Sequence, residues 1–108
     1  MDFILTGSRA YGPAKPNSDL DIVVKSTDTI LIGKFLAERN IPIYNTPSQD
    51  SYGDMGGFYF DFADIQINII VAADEAEYEL WRKRTEKMKT IPPIENRDVR
   101  LATFNSIM

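Results

Sequence analysis

Residues 7–21 read GSRAYGPAKPNSDLD and join two short apolar runs, residues 3–5 and 22–24. Each apolar run is typical of a buried β-strand. The small side chains of Gly7 and Ser8 would let phosphate oxygens approach the backbone N–H groups of a following helical turn. The segment therefore predicts a strand, an anion-binding turn and a second strand.

Two acidic residues open the second of these strands. Asp19 and Asp21 are two positions apart, so both carboxylates point to one face of an extended strand. Mg²⁺ typically binds one or two protein carboxylates and completes its octahedron with water and phosphate. The pair therefore predicts a magnesium site beside the turn, although short acidic pairs also arise by chance in an ordinary connection between strands.

The complete arrangement is more specific than either part. A strand, Gly-Ser, ten intervening residues and Asp-Leu-Asp together resemble the nucleotidyltransferase superfamily, the DNA-polymerase-beta-like group. Residues 7–12 and 18–21 are most similar to its small stand-alone members, and the resemblance covers residues 1–72 in detail. It implies Mg²⁺-dependent transfer of a nucleoside monophosphate from a nucleoside triphosphate to a hydroxyl group.

The resemblance also implies roles for individual residues. Asp19 and Asp21 would be the metal ligands and catalytic acids, because the first two acids of the family bind the ions that bridge the nucleotide phosphates. Gly7 and Ser8 would contact the β and γ phosphates, and Ser8 is equally suited to cap the helical turn. The nucleotide-binding set also includes Arg9 and Ser18.

The family's third acid has no clear counterpart. Alignment of residues 67–70 with the hydrophobic-acid-hydrophobic strand of the family places Asn68 at the third catalytic position, and Asn carries no charge and cannot act as a base. Asp64 lies about 13 Å away at strand rise, and Asp61 lies across a predicted turn. Three interpretations stay open: a slow enzyme with one firmly held metal, a binding protein, or a different register.

Other basic and aromatic residues give less specific signals. Lys15 and Lys25 are near the motif and are interpreted as solvated side chains. The basic cluster at residues 82–84 is interpreted as a solvated helix face, with contact to a nucleic-acid acceptor as the alternative. Tyrosines that could stack on a base are Tyr44, Tyr52 and Tyr59, and the sequence selects none of them.

Composition limits the chemistry. The chain has 108 residues, is 44% hydrophobic and has a net charge of −4. It contains neither Cys nor His, which excludes disulfides, thiolate chemistry and imidazole bases. No apolar segment is long enough to span a membrane, so we expect a soluble, cytoplasmic protein.

Hydrophobic periodicity predicts the remaining elements. The fold class is α+β: a single nucleotidyltransferase-like domain over residues 1–108, with a mixed sheet of about five strands packed against helices. Predicted strands cover residues 2–6, 19–25, 43–44, 58–62 and 65–72, and predicted helices follow residue 28 and cover 74–89 and 95–108, with residues 45–57 as a loop. In the helix over 74–89, the predicted core stripe contains Tyr78, Trp81, Thr85 and Met88.

Two functional classes compete. The leading one is a nucleotidyltransferase whose acceptor is a protein, a tRNA end or a small molecule, and whose activity is weakened by Asn68. The alternative is a catalytically weak nucleotide-binding module, such as an antitoxin-like partner protein, which would act with a protein partner or as a homodimer. A small domain with no nucleotide site is the third interpretation.

Overall fold

The computed structural model describes residues 2–13, 19–44 and 57–107. Within these ranges the chain forms four strands and four α-helices, with a 3₁₀ turn before the second helix. The elements are β1 (Phe3–Thr6), α1 (Ser8–Tyr11), β2 (Leu20–Lys25), α2 (Thr29–Glu38), β3 (Phe58–Phe62), β4 (Ile65–Ala72), α3 (Glu75–Met88) and α4 (Arg97–Ser106).

The strands form one mixed sheet in the order β1-β2-β4-β3. β1 is antiparallel to β2, β2 is parallel to β4, and β3 and β4 form an antiparallel hairpin. The register places Asp21 beside Thr6 on one side and beside Asn68 on the other. The two central strands therefore bring the acidic motif and the predicted third position next to each other.

One face of the sheet is covered by α1, α3 and α4. Its core joins inward-facing residues of the sheet to the apolar stripe of α3 and to Phe104 of α4. The predicted stripe is confirmed, because its four members are all buried: Tyr78, Trp81, Thr85 and Met88. A buried hydrogen bond of 2.8 Å between Thr6 Oγ1 and Thr85 Oγ1 ties β1 to α3.

The opposite face carries α2. Ile32 and Leu36 of this helix pack on the alternate residues of the sheet, namely Val24, Phe60 and Ile69. Because successive strand residues point to opposite faces, the sheet supplies two separate cores.

The predicted count of about five strands is one too high for the described residues. Tyr44, in the predicted strand at residues 43–44, makes only an isolated bridge to Tyr59. Two backbone hydrogen bonds of 2.9 Å join these residues. The hairpin bounds, 58–62 and 65–72, are confirmed.

Side chains cap the first turns of two helices. Asp74 accepts a hydrogen bond from the Glu77 amide at 2.8 Å, and Asn96 accepts one from the Val99 amide at 3.0 Å. Across the described ranges, every helix is too short or too polar to cross a bilayer.

Candidate active site

The Gly-Ser turn lies directly against the acidic motif. Gly7 has φ 75° and ψ −165°, a conformation that essentially only glycine adopts. A β-carbon built on Gly7 would overlap Asp21 Oδ2. The amides of Ala10 and Tyr11 both bond to the Gly7 carbonyl, at 2.9 and 3.1 Å, which winds residues 8–11 into a helical turn. Glycine is therefore required here both for the backbone conformation and for the approach of the carboxylate.

The two acidic side chains converge on a single amide. Asn68 Nδ2 donates to Asp21 Oδ1 at 2.7 Å and to Asp19 Oδ2 at 3.5 Å. Asp21 is 9% exposed to solvent and Asn68 only 2%, whereas Asp19 is half-buried. The predicted placement of Asp19 and Asp21 on one face agrees with this geometry, and Asn68 completes the cluster from the adjacent parallel strand.

Gln66 fixes the orientation of Asn68. Its Nε2 donates to Asn68 Oδ1 at 2.7 Å and also to Asp19 Oδ2 at 3.2 Å. Because the Asn68 oxygen is the acceptor in that bond, its nitrogen is directed at Asp21. Asn68 therefore acts as a hydrogen-bond donor that orients a carboxylate.

The environment of Asp19 disfavours its negative charge. Burial raises the pKa of the Asp19 carboxyl above 3.8, and the charge of Asp61 acts in the same direction. The hydrogen bond from Asn68 and the positive charge of Arg9 lower this pKa, yet burial has the largest effect. A partly desolvated pair of carboxylates is stabilised by a bound cation, because the cation supplies the missing opposite charge.

A second polar group lies on the outer strand of the same face. Asp61 in β3 is paired with Gln66 in β4, and opposed residues of an antiparallel pair share a face. Tyr44 Oη donates to Asp61 Oδ1 at 2.8 Å, and the Tyr44 and Tyr59 rings stack with centroids 6.0 Å apart. Burial, followed by the Asp61 carboxylate, raises the pKa of the Tyr44 hydroxyl to about 12.

Comparison with known protein families identifies the family of this chain. Residues 1–100 match the family described as the nucleotidyltransferase domain. The chain belongs to this family. No curated protein matches it. The family match supports nucleotidyl transfer in general, and it extends past residues 1–72 to include α3 and the first turn of α4.

The basic residues near the motif of this nucleotidyltransferase domain lie at different distances from Asp19. Lys25 lies at the far end of β2 from Asp19 and forms an ion pair with Glu75, with Nζ 2.6 Å from Oε1. Arg9, on the first turn of α1, is close enough to Asp19 for its charge to lower the carboxyl pKa. Ser18, Lys15 and Tyr52 lie at positions 14–18 and 45–56, outside the described residues, as does all of the predicted loop except residue 57.

Two further residues lie near the acidic pair of this nucleotidyltransferase domain and were not among the predicted site residues. Gln66 and Asp61 contact or face the acidic pair, and the signal for Gln66 was its alternation with Asn68 on β4. Among residues 2–13, 19–44 and 57–107, no three His, Cys, Asp or Glu side chains form a group that could hold a metal ion. The donor set in the described part of the site is two carboxylates, with two amides holding them.

Proposed function

We propose that this chain is a Mg²⁺-dependent nucleotidyltransferase that moves a nucleoside monophosphate from a nucleoside triphosphate to an acceptor hydroxyl. The observation that carries the proposal is the convergence of Asp19 and Asp21 on Asn68, directly beside the strained Gly7 turn. Cation ligands and an anion-binding turn are thereby adjacent, which suits a metal-bound triphosphate.

Each part of the site has a role in this proposal. Asp19 and Asp21 hold Mg²⁺ through hard oxygen ligands, a donor set that fits this ion. When bound, Mg²⁺ neutralises phosphate charge and lowers the pKa of a hydroxyl that it contacts. The backbone amides of the turn after Gly7 and the Ser8 hydroxyl bind the β and γ phosphates, and Arg9 adds positive charge. Ser18 belongs to the same proposed nucleotide-binding set.

Asn68 positions the acidic pair and does not accept the proton. Its amide nitrogen donates to both carboxylates, so it holds their side chains at the face where the cation binds. Gln66 supports it in this role. The proposed acceptor is a hydroxyl on a protein, a tRNA end or a small molecule, and protein is the first class to test.

The buried amide at position 68 also favours a second candidate function. A site with two carboxylates and a neutral amide binds a Mg²⁺-nucleotide complex without requiring fast turnover. In that case the chain is a nucleotide-binding module that acts, like an antitoxin, with a protein partner or as a homodimer. Turnover separates this candidate from the enzyme, because both bind nucleotide.

The test combines binding and turnover. Titration calorimetry with each of the four nucleoside triphosphates and Mg²⁺ measures binding, and release of labelled pyrophosphate over a day measures turnover. We expect Mg²⁺-dependent binding and release in the native chain, and loss of both in Asp21→Asn. The matched control is Asp64→Asn, which removes an exposed carboxylate from the β3–β4 turn.

The outcomes are distinct. If a nucleotide binds and none of the four nucleotides gives pyrophosphate release, the result supports the nucleotide-binding module. Absence of Mg²⁺-nucleotide binding in a folded protein contradicts both candidates. Equal loss in Asp64→Asn and Asp21→Asn would show that general charge, rather than the acidic motif, accounts for binding.

A further inference from the structure

The outer strand β3 brings a third carboxylate to the face of the acidic pair. Among the described strands, Asp21 and Asp61 are the two residues that carry a carboxylate. Asp61 is opposite Gln66, whose Nε2 lies 3.2 Å from Asp19 Oδ2. The side chains of Asp61, Gln66 and Asp19 therefore follow one another across the same face of the sheet.

The sheet order places Asp61 on the side opposite the Gly-Ser turn. β1 and the turn after it flank β2, whereas β3 lies beyond β4 at the other edge. With about 4.8 Å between neighbouring strands, β3 is roughly 10 Å from β2. An in-line displacement needs the attacking oxygen and the leaving group on opposite sides of the phosphorus. If the Gly7 turn holds the leaving phosphates, the attacking hydroxyl enters from the side of Asp61.

Tyr44 holds the Asp61 carboxylate in place. Its hydroxyl donates to Oδ1, and its backbone is fixed to Tyr59 by two hydrogen bonds of 2.9 Å. A carboxylate has a second oxygen with its own lone pairs, so the Tyr44 bond does not use the whole group. Asp61 is exposed, so an acceptor molecule can reach it from solvent.

The chemistry of the site requires a proton acceptor. The amides of Asn68 and Gln66 cannot take a proton at neutral pH, and Asp19 and Asp21 are the proposed metal ligands. We propose that Asp61 accepts the proton of the attacking hydroxyl, with Tyr44 as its positioning residue. This inference rests on the proposed nucleotidyl transfer.

The proposed step is an in-line displacement at the α-phosphorus. The acceptor oxygen forms a bond to the α-phosphorus, and the bond from that phosphorus to the α–β bridging oxygen breaks. Pyrophosphate leaves with the electron pair of the broken bond. The hydroxyl proton moves to Asp61 Oδ2, and solvent then removes it from the exposed carboxyl.

The test uses the full chain with Mg²⁺ and ATP, and with water and added glycerol as probe acceptors. Asp61→Asn keeps the size of the side chain and removes the base. We expect pyrophosphate release to fall at least tenfold, since general-base catalysis typically contributes 10²-fold or more, while the Kd for Mg²⁺-ATP stays within twofold. Asp64→Asn is the control on the same hairpin: it is exposed and at φ 64°, which Asn tolerates, and both quantities should stay within twofold.

Tyr44→Phe is the second variant and separates positioning from structure. It removes the hydrogen bond to Asp61 and should lower the release rate about threefold or more without changing the Kd. In the double variant Tyr44→Phe/Asp61→Asn, we expect no loss beyond that of Asp61→Asn, because the hydroxyl acts only through the carboxylate. An additive loss would contradict this positioning role.

Failure of this inference is distinguishable from failure of the proposed function. Release by Asp61→Asn within twofold of an active native chain overturns the role of Asp61 and leaves nucleotidyl transfer intact. A native chain that releases no pyrophosphate above the buffer rate overturns the transfer, and the role of Asp61 with it.

Discussion

The carboxylate of Asp21 lies against the α-carbon of Gly7, so closely that no other amino acid fits at position 7. A β-carbon there would overlap Asp21 Oδ2, and the backbone at φ 75° independently disfavours other residues. The anion-binding turn and the acidic motif are therefore one packed unit, although 13 residues separate them in the chain. A change at either residue should affect the other.

Gly7→Ala should destabilise the protein and weaken nucleotide binding. The disfavoured backbone conformation alone costs about 1 to 3 kcal/mol, and the overlap adds to it by displacing Asp21. Urea unfolding measures the stability, and calorimetry with Mg²⁺-ATP measures the binding. The control is Gly33→Ala in α2, where a β-carbon meets nothing within 4 Å. Helix propensity predicts that it stabilises by up to about 1 kcal/mol, so equal losses at both positions would contradict this interpretation.

Asn68→Asp should make folding depend on Mg²⁺. Asn68 donates to Asp21 at 2.7 Å inside the protein, and an aspartate there would replace the donor with a second negative charge. Without metal we expect a loss of about 2 kcal/mol or more in the free energy of unfolding. Mg²⁺ should restore it, and pyrophosphate release should rise several-fold because a third hard ligand holds the ion.

The control for this variant is Asn105→Asp, the same change at an exposed position of α4. It should alter stability by no more than about 0.5 kcal/mol, with or without Mg²⁺. A stable Asn68→Asp protein with unchanged Mg²⁺ dependence would show that position 68 does not face the metal.

The sequence predicted the helices and strands of this fold better than it predicted which residues pair between neighbouring strands. The bounds of β4 and the four-residue stripe of α3 were predicted from local patterns, and both are confirmed. Position 43–44 was predicted as a strand, but Tyr44 makes only an isolated bridge, because two residues give little pairing. Local periodicity therefore predicts a long helix or strand more reliably than it predicts a two-residue strand.

The position of Asp61 shows why part of the site was missed. The predicted bounds of the hairpin are confirmed, but they do not state which residues are opposed across it. The structure turns at Ala63 and Asp64, both with positive φ, and this register places Asp61 opposite Gln66. Hairpin register depends on the conformation of the turn residues, and a one-residue shift reverses the face of every side chain.

Thr85→Val should destabilise the contact between α3 and β1. The two hydroxyls of Thr6 and Thr85 bond at 2.8 Å in the core, so valine at position 85 leaves the Thr6 hydroxyl buried without this partner. The expected cost is about 1 to 3 kcal/mol in urea unfolding. Thr6→Val/Thr85→Val should cost less than the sum of the single changes, because both polar groups are then removed. A strictly additive pair would show that the hydrogen bond contributes nothing to stability.

Asp19→Asn should stabilise the metal-free protein at neutral pH, and this advantage should disappear in acid. Burial raises the pKa of Asp19 above 3.8 in the folded state, so the folded protein holds this proton more tightly than the unfolded chain. As the pH rises through and above 3.8, the unfolded state loses its proton first, and the contribution of Asp19 to stability falls. Asn has no proton to lose, so the free energy of unfolding of the variant, relative to that of the native chain, should increase between about pH 3 and pH 7.

Urea unfolding in EDTA at both pH values measures this difference. Mg²⁺ at pH 7 should reduce the difference by stabilising only the native chain. An equal difference at both pH values would show that the amide acts through packing and not through the charge of Asp19.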